Sequence, residues 1–339
     1  MKKNIIALAV AGVLVAPLAA QAEVTVSGVV QAEIVNVTSD GSRDEGLYMQ
    51  DASTYGAENG HNAGGLFFTA SEDLGNGLKA LAKVGLNLTN DGVNHGSNRD
   101  AYIGLTGGFG TVLAGRMSSP YKTSTVKWDP FLATFMQARG NGGASAGALG
   151  HGSYLNNALA YANKFGMATV VAAVAFDEAS DGAGSTTGNH AVTFSVNVPV
   201  GPVEVAVAYL DASDMGSTTS YDASETKVGV KYNAGAFTVA GQYETRDAGL
   251  QGGATADGET FMYVTGSYAM GATTLSASYG VNSQTFTVGD DMDNTYAAIG
   301  VKHALSKKTS VHAGYRATSP DTAVSTDESL VGVGLRVGF

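Results

Sequence analysis

Apolar and polar residues alternate through most of this chain. At its end Val331, Val333, Leu335, Val337 and Phe339 are separated by Gly332, Gly334, Arg336 and Gly338. Val311, Ala313 and Tyr315 alternate with His312, Gly314 and Arg316, and Ala80, Ala82, Val84, Leu86 and Leu88 alternate with Lys79, Lys83 and Asn87. A period of two puts one set on each face of a strand. The connections between such segments also alternate. Short ones, rich in Gly, Asn and Pro, lie at Asp73 to Gly77, Gly107-Gly108, Lys164 to Gly166, Pro199 to Pro202, Asn233 to Ala236, Met270-Gly271 and Leu305 to Lys308. Long polar ones occupy 37–62, 90–97, 118–153, 177–188, 213–222, 246–258, 282–293 and 319–326. Seven short and eight long connections predict sixteen strands. The predicted strands are 24–36, 63–72, 78–89, 98–106, 109–117, 154–163, 166–176, 189–198, 203–212, 223–232, 235–245, 259–269, 272–281, 294–304, 309–318 and 327–339. Strict alternation places every turn at one end and every loop at the other. An all-β, sixteen-stranded antiparallel transmembrane β-barrel has this layout. Its sheet must close, because lipid offers no partner to an unpaired N–H or C=O.

The first residues bear on where such a sheet would be used. Lys2 and Lys3 precede an apolar run from Ile5 to Val15, Pro17 breaks it, and Ala20-Gln21-Ala22 ends it with small residues. These are the parts of a cleaved secretory leader over 1–22, which leaves 23–339 as the barrel domain. The run is too short to span about 30 Å of hydrocarbon as a helix.

Composition agrees with strands that meet lipid on one side and water on the other. Charged residues make up 14% of the chain, against about 25% in ordinary globular domains. There are 46 glycines, 6 prolines and no cysteine, so no disulfide or thiol chemistry is available. A net charge of −11 argues against nucleic acid, which calls for a basic footprint. Tyr and Phe recur near strand ends, as aromatic girdles at the membrane interfaces would require.

Little in the sequence points to catalysis or cofactors. Ser119-Pro120-Tyr121-Lys122 has the S-x-x-K form of a nucleophile motif, but its companion motifs are missing and no helix is predicted there. Asp290, Asp291 and Asp293 form an acidic cluster without the spacing of a calcium loop. The six histidines show no metal spacing and are expected to be solvated or in the lumen. Asp40, Asp44, Glu45, Asp51, Asp177, Glu178, Asp181, Asp211 and Asp214 gather in or near predicted loops and would make the outer mouth negative. An enzyme on this scaffold would require a Ser–His pair at the lipid interface, and none stands out. A surface adhesin or receptor, with the barrel as scaffold, is an alternative to a channel.

Three stretches carry a resemblance to a known family. They are Ser71-Glu72-Asp73-Leu74-Gly75-Asn76-Gly77-Leu78-Lys79-Ala80, then Asn98-Arg99-Asp100-Ala101-Tyr102-Ile103-Gly104-Leu105 with Gly108 to Val112 and Leu113 to Arg116, and the terminal Phe339. In these the chain resembles the general porins of Gram-negative outer membranes. The resemblance implies a homotrimer of sixteen-stranded barrels that passes ions and small hydrophilic solutes, set in outer-membrane lipid and lipopolysaccharide. It also implies that Phe339 is read by the barrel-assembly machinery, and that a long third loop, here 118–153, folds into the lumen. The facing wall would carry Arg99, with Arg116 closing the next strand. Lys79 and Lys83 share the lumen parity of their strand, and Arg316 and Arg336 face water on theirs. The parity of Arg99 itself is ambiguous. Pro120-Tyr121-Lys122 and Trp128-Asp129-Pro130-Phe131 resemble the first half of the constriction loop, making Asp129 its best lumen carboxylate. Asp129 stands nearly alone beside Lys122, Lys127 and Arg139, and Gly64-Gly65 stands where the family often has arginine. These departures imply a weaker or differently arranged field. The acidic loops argue for cations and the basic wall with Lys122, Lys127 and Arg139 for anions; because salt screens distant charges, the balance leans slightly to anions or weak selectivity.

Overall fold

The computed structural model describes residues 22–40, 45–50, 64–88, 98–145, 150–176, 190–215, 221–248, 256–286, 290–321 and 327–339. The expected leader therefore lies almost wholly outside the described residues, as do most of the acidic loop positions. The strands are β1 (Glu23–Ser39), β2 (Gly46–Gln50), β3 (Gly65–Gly75), β4 (Leu78–Asn87), β5 (Asn98–Gly107), β6 (Gly110–Ser118), β7 (Tyr154–Phe165), β8 (Ala168–Phe176) and β9 (His190–Val200). They continue with β10 (Val203–Met215), β11 (Tyr221–Ala234), β12 (Phe237–Ala248), β13 (Ala256–Met270), β14 (Thr273–Phe286), β15 (Met292–Ala304), β16 (Thr309–Asp321) and β17 (Glu328–Gly338).

Successive strands from β3 to β17 pair antiparallel. The ring closes through β1, which pairs with β17 along Val29–Ser39 and with β3 along Glu23–Val29. The closed ring thus holds the sixteen strands that the alternation predicts. The additional strand, β2, falls inside the predicted loop 37–62 and pairs with β1 from Glu33↔Gln50 to Val37↔Gly46. It occupies the length of β1 that β3 leaves unpaired. Several strands also outrun their predicted ends, β12 to Ala248 and β14 to Phe286. There polar side chains continue the ladder, as in Glu259↔Gln284. The turn between β3 and β4 has Asn76 and Gly77 both at positive φ, 53° and 77°, the conformation that a two-residue hairpin demands.

The two faces divide as alternation requires. Val24, Val26, Val30 and Ile34 of β1 are exposed, as are Val331, Val333, Leu335 and Val337 of β17. Gln31, Glu33, Thr193, Ser195, Glu225, Lys227 and Glu244, of the other parity, are buried. Apolar outside and polar inside is the pattern of a barrel in lipid. Among the described residues no helix is long and apolar enough to cross a membrane.

The loop between β6 and β7 provides much of that burial. It opens with helix α1 (Pro120–Thr125) and a 3-10 turn over Val126–Trp128. The helix corrects the expectation of none there. Ser119 Oγ accepts the Lys122 N–H at 3.0 Å as N-cap, and Pro120 enters the first turn, where its missing N–H costs nothing. The S-x-x-K pattern is thereby a capping arrangement. The loop touches inward residues of β1, β9, β11, β12, β13, β15 and β16, including Gln31, Asn197, Lys227, Glu244, Tyr263, Tyr296 and Arg316. One segment reaches all of these only by lying inside the ring.

Candidate functional site

The loop is fastened to the wall at two places by glutamates from different sides of the barrel. Glu244 on β12 accepts from the Tyr121 hydroxyl at 2.8 Å, the Ser145 hydroxyl at 2.5 Å and Gln242 Nε2 at 2.8 Å. Beside it Lys227 Nζ donates to Tyr121 O at 2.7 Å and lies 2.9 Å from His151 Nε2 and 4.0 Å from the centre of the Tyr121 ring. Burial, then the Lys227 charge, pulls the His151 pKa down to about 4, so its ring is neutral at neutral pH. Glu33 on β1 accepts the Phe135 N–H at 3.1 Å and bonds from Gln31 and Gln50, with His312 Nε2 at 2.7 Å. His151 and His312 thus lie inside the ring, buried and bonded to the wall rather than solvated.

Asp129 lies within this framework. Its carboxylate accepts the Phe131 and Ala138 N–H groups, each at 2.8 Å, and the Tyr263 hydroxyl at 3.2 Å. Burial pushes its pKa up against those bonds. Arg316 is fully buried and donates to Phe135 O at 3.0 Å and Asn141 Oδ1 at 2.6 Å while pairing with Glu328.

The remaining wall, β3 to β7, receives little of the loop and carries four of the nine bases that the sequence reading singles out, Lys79, Lys83, Arg99 and Arg116. Arg99 reaches its inner side through a β-bulge: Val84 faces Ala101, yet Leu86 faces Asn98. The extra residue on β5 releases Arg99 from the parity of Ala101 and Ile103. Its Nε donates to Asn87 Oδ1 at 2.5 Å, and its guanidinium lies 5.7 Å from the centre of the Phe67 ring. Arg116 sits at a second bulge, where Gly115 faces Ala158 but Met117 faces Leu155. Its Nε donates to Arg99 O at 3.0 Å, and its guanidinium is 4.9 Å from the Tyr154 ring. Lys122 Nζ lies 3.8 Å from that same ring and 3.4 Å from Ser153 O.

Arg139 donates to Gln137 Oε1 and to His151 O, both at 3.1 Å, and Arg336 donates to Gln31 Oε1 at 3.0 Å. Lys83 pairs with Asp100 at 2.6 Å. Lys79 and Lys127 are exposed, Lys79 beside the first turn and Lys127 on the 3-10 turn. Burial, reinforced by Arg139, lowers the Lys122 pKa to about 7, and Arg99 and Arg116 add to the same effect. Arg99, Arg116, Lys122 and Arg139 thus form one basic group, bridging the free wall and the near edge of the loop.

The fasteners Glu33, Glu244, Lys227 and Tyr121 are not among the candidates read from the sequence. Their signal is faint: polar residues at inward positions, beside the glycines and alanines on which the loop rests. No cluster of metal-ligating side chains occurs among the described residues.

Known proteins share this architecture. The anion-selective porin from Comamonas acidovorans superposes with a TM-score of 0.78 at 23% identity, covering 94% of this chain and all of that one. The trimer form of OmpT from Vibrio cholerae gives 0.68 at 15% identity, over 94% and 99% of the two chains. At such identities the likeness is one of fold. In sequence, the chain is 37% identical over 125 residues to the major outer membrane protein P.IB of Neisseria gonorrhoeae. That match spans 37% of this chain and 34% of the relative. A family model described as Gram-negative porin matches residues 7–323. With that match along nearly its whole length and a closed sixteen-stranded barrel, this is an outer-membrane protein that belongs to the Gram-negative porin family.

Proposed function

We propose that the barrel is a passive, water-filled channel for ions and small hydrophilic solutes, and that its narrowest part favours anions. The observation that carries this reading is the gathering of Arg99, Arg116, Lys122, Arg139 and Arg336 beside the part of the lumen that the loop leaves open. Glu33, Glu244 and Asp129 meanwhile accept hydrogen bonds that hold the loop. Salt screens exposed charges beyond about 8–10 Å, so groups at the narrowing outweigh acids at the mouth. Charged side chains lining a pore set selectivity in this way. Lys79, Lys83 and Lys127 extend the basic lining, while Asp129 and Arg316 serve mainly as fasteners. The word anion-selective in the description of the Comamonas protein supports the same direction.

In this reading the working unit is a homotrimer, in keeping with the trimer form of the Vibrio protein, embedded in outer-membrane lipid and lipopolysaccharide. Phe339 exchanges backbone hydrogen bonds with Gly28 at 3.0 and 3.1 Å, a position suited to recognition by the barrel-assembly machinery as the ring closes. Planar-bilayer recording tests the channel: ohmic conductance inserted in groups of three is expected. A folded, heat-modifiable barrel without conductance would leave a plugged scaffold or receptor instead.

A further inference from the structure

Below α1 the inner wall of β4 to β8 holds a recess of about 290 Å³. Its floor is apolar, formed by Leu113, Met117, Ala160, Ala162 and Val171, and Pro120 and Thr123 of α1 form its lip. Leu113 faces Ala160 across one ladder and Ala162 faces Val171 across the next, so the floor is continuous. An apolar floor on the water side of a barrel is unusual, because inward positions of such strands are ordinarily polar. Water held there forgoes hydrogen bonds that an apolar guest would not miss.

At the rim stands one cation between rings. Lys83 Nζ is 2.6 Å from Asp100 Oδ2, 5.3 Å from the centre of the Phe67 ring and 6.0 Å from that of Tyr102. An ammonium has three donors, and Asp100 accepts one. Tyr102 also lines the recess and offers an aromatic guest a ring to pair with. A cavity of about 150 Å³ already accepts benzene in another protein, so this recess admits a substituted ring. Asp100 opposes negative charge on a guest, so that one carboxylate is held only by bonding Lys83 and a second is disfavoured further, and Lys83 repels a positive charge. We propose that this recess is a binding station for small aromatic monocarboxylates, with the ring on the apolar floor and the carboxylate on Lys83. The proposal rests on the reading that the open lumen admits anions.

Benzoate and acetate, each added to trimers conducting chloride in a planar bilayer, test it. Benzoate is expected to reduce the chloride current saturably, and acetate is not. Val171→Phe fills the floor and Lys83→Gln removes the charge. Each is expected to raise the half-blocking benzoate concentration about tenfold, read as a fraction of that variant's own current. Lys83→Gln alone decides the matter if Val171→Phe does not assemble. Absence of saturable block in the wild type, or a half-blocking concentration unchanged in an assembled variant, overturns the station. The same membranes report chloride against potassium permeability, so a failure of the anion reading is distinguishable from a failure of the recess.

Discussion

On β11 to β17 the inner wall is cleared for the loop, whereas on β3 to β5 it is furnished by its own side chains. Gly229 lies under Trp128, and Gly300 and Gly314 lie under Met136; a Cβ on Gly314 would come within 2.3 Å of the Met136 sulfur. On the other side Gly65 of β3 and Gly85 of β4 are both covered by Phe67 of β3, where a Cβ would meet the ring at 2.8 and 2.9 Å. The charges differ in partner more than in kind. Acids of β11, β13 and β17 hold Arg246 and Arg316, and Glu204 of β10 holds Lys231. On the free wall Lys83 pairs with Asp100, and Arg99 and Arg116 lie against the Phe67 and Tyr154 rings, as Lys227, Lys231 and Arg246 of the covered wall lie against Tyr121, Trp128 and Phe261. On the proposed reading, one half of the lumen positions the loop and the other half supplies the field that a solute meets.

Breaking the fastening should have the largest effect. Glu244→Leu leaves the Tyr121 and Ser145 hydroxyls without their buried acceptor, a loss of about 1–3 kcal/mol for each group. Single-channel conductance should rise and become noisy, and hydrogen exchange over 119–153 should quicken. Lys83→Gln, on the free wall, should leave that exchange unchanged. Gly314→Leu should come next. Its side chain would enter the space of Met136, and overpacking of this kind costs about 1–3 kcal/mol. The unfolding temperature of the heat-modifiable form should fall, and by more than in Gly85→Leu, where Phe67 can swing into open lumen.

Charge reversal sharpens the contrast. Lys122→Glu should move the reversal potential in a salt gradient strongly towards cations. Raising the pH from 6 to 8 should move it the same way by about half as much, one charge rather than two. The sign follows from the lowered Lys122 pKa: the ammonium is charged below about 7 and neutral above it. A wild-type reversal potential that is flat across that range would remove Lys122 from the aperture.

Much of the fold is written in local alternation. Val331 to Phe339 reads as a strand with two chemically distinct faces, and the turn and loop spacing fixes the strand number. Arg99 shows where that reasoning ends. Its side follows from a bulge, which depends on how two strands count against each other rather than on either strand alone. Asp129 shows a second limit. The sequence marks it as a lone carboxylate on the loop, but its three donors come from Phe131, Ala138 and Tyr263, the last on a distant strand. The Glu33 and Glu244 fasteners were illegible for the same reason, since a glutamate at an inward position looks alike whether it meets water or a buried loop.

The central claim is that the free wall and the edge of the loop give the aperture a net positive field. The reversal potential of wild-type trimers under a potassium chloride gradient at pH 6 tests it most directly. The account predicts the sign of chloride preference, diminishing as salt is raised and screening grows. A reversal potential of cationic sign would contradict it, and would assign control of the pore to acidic residues elsewhere in the chain.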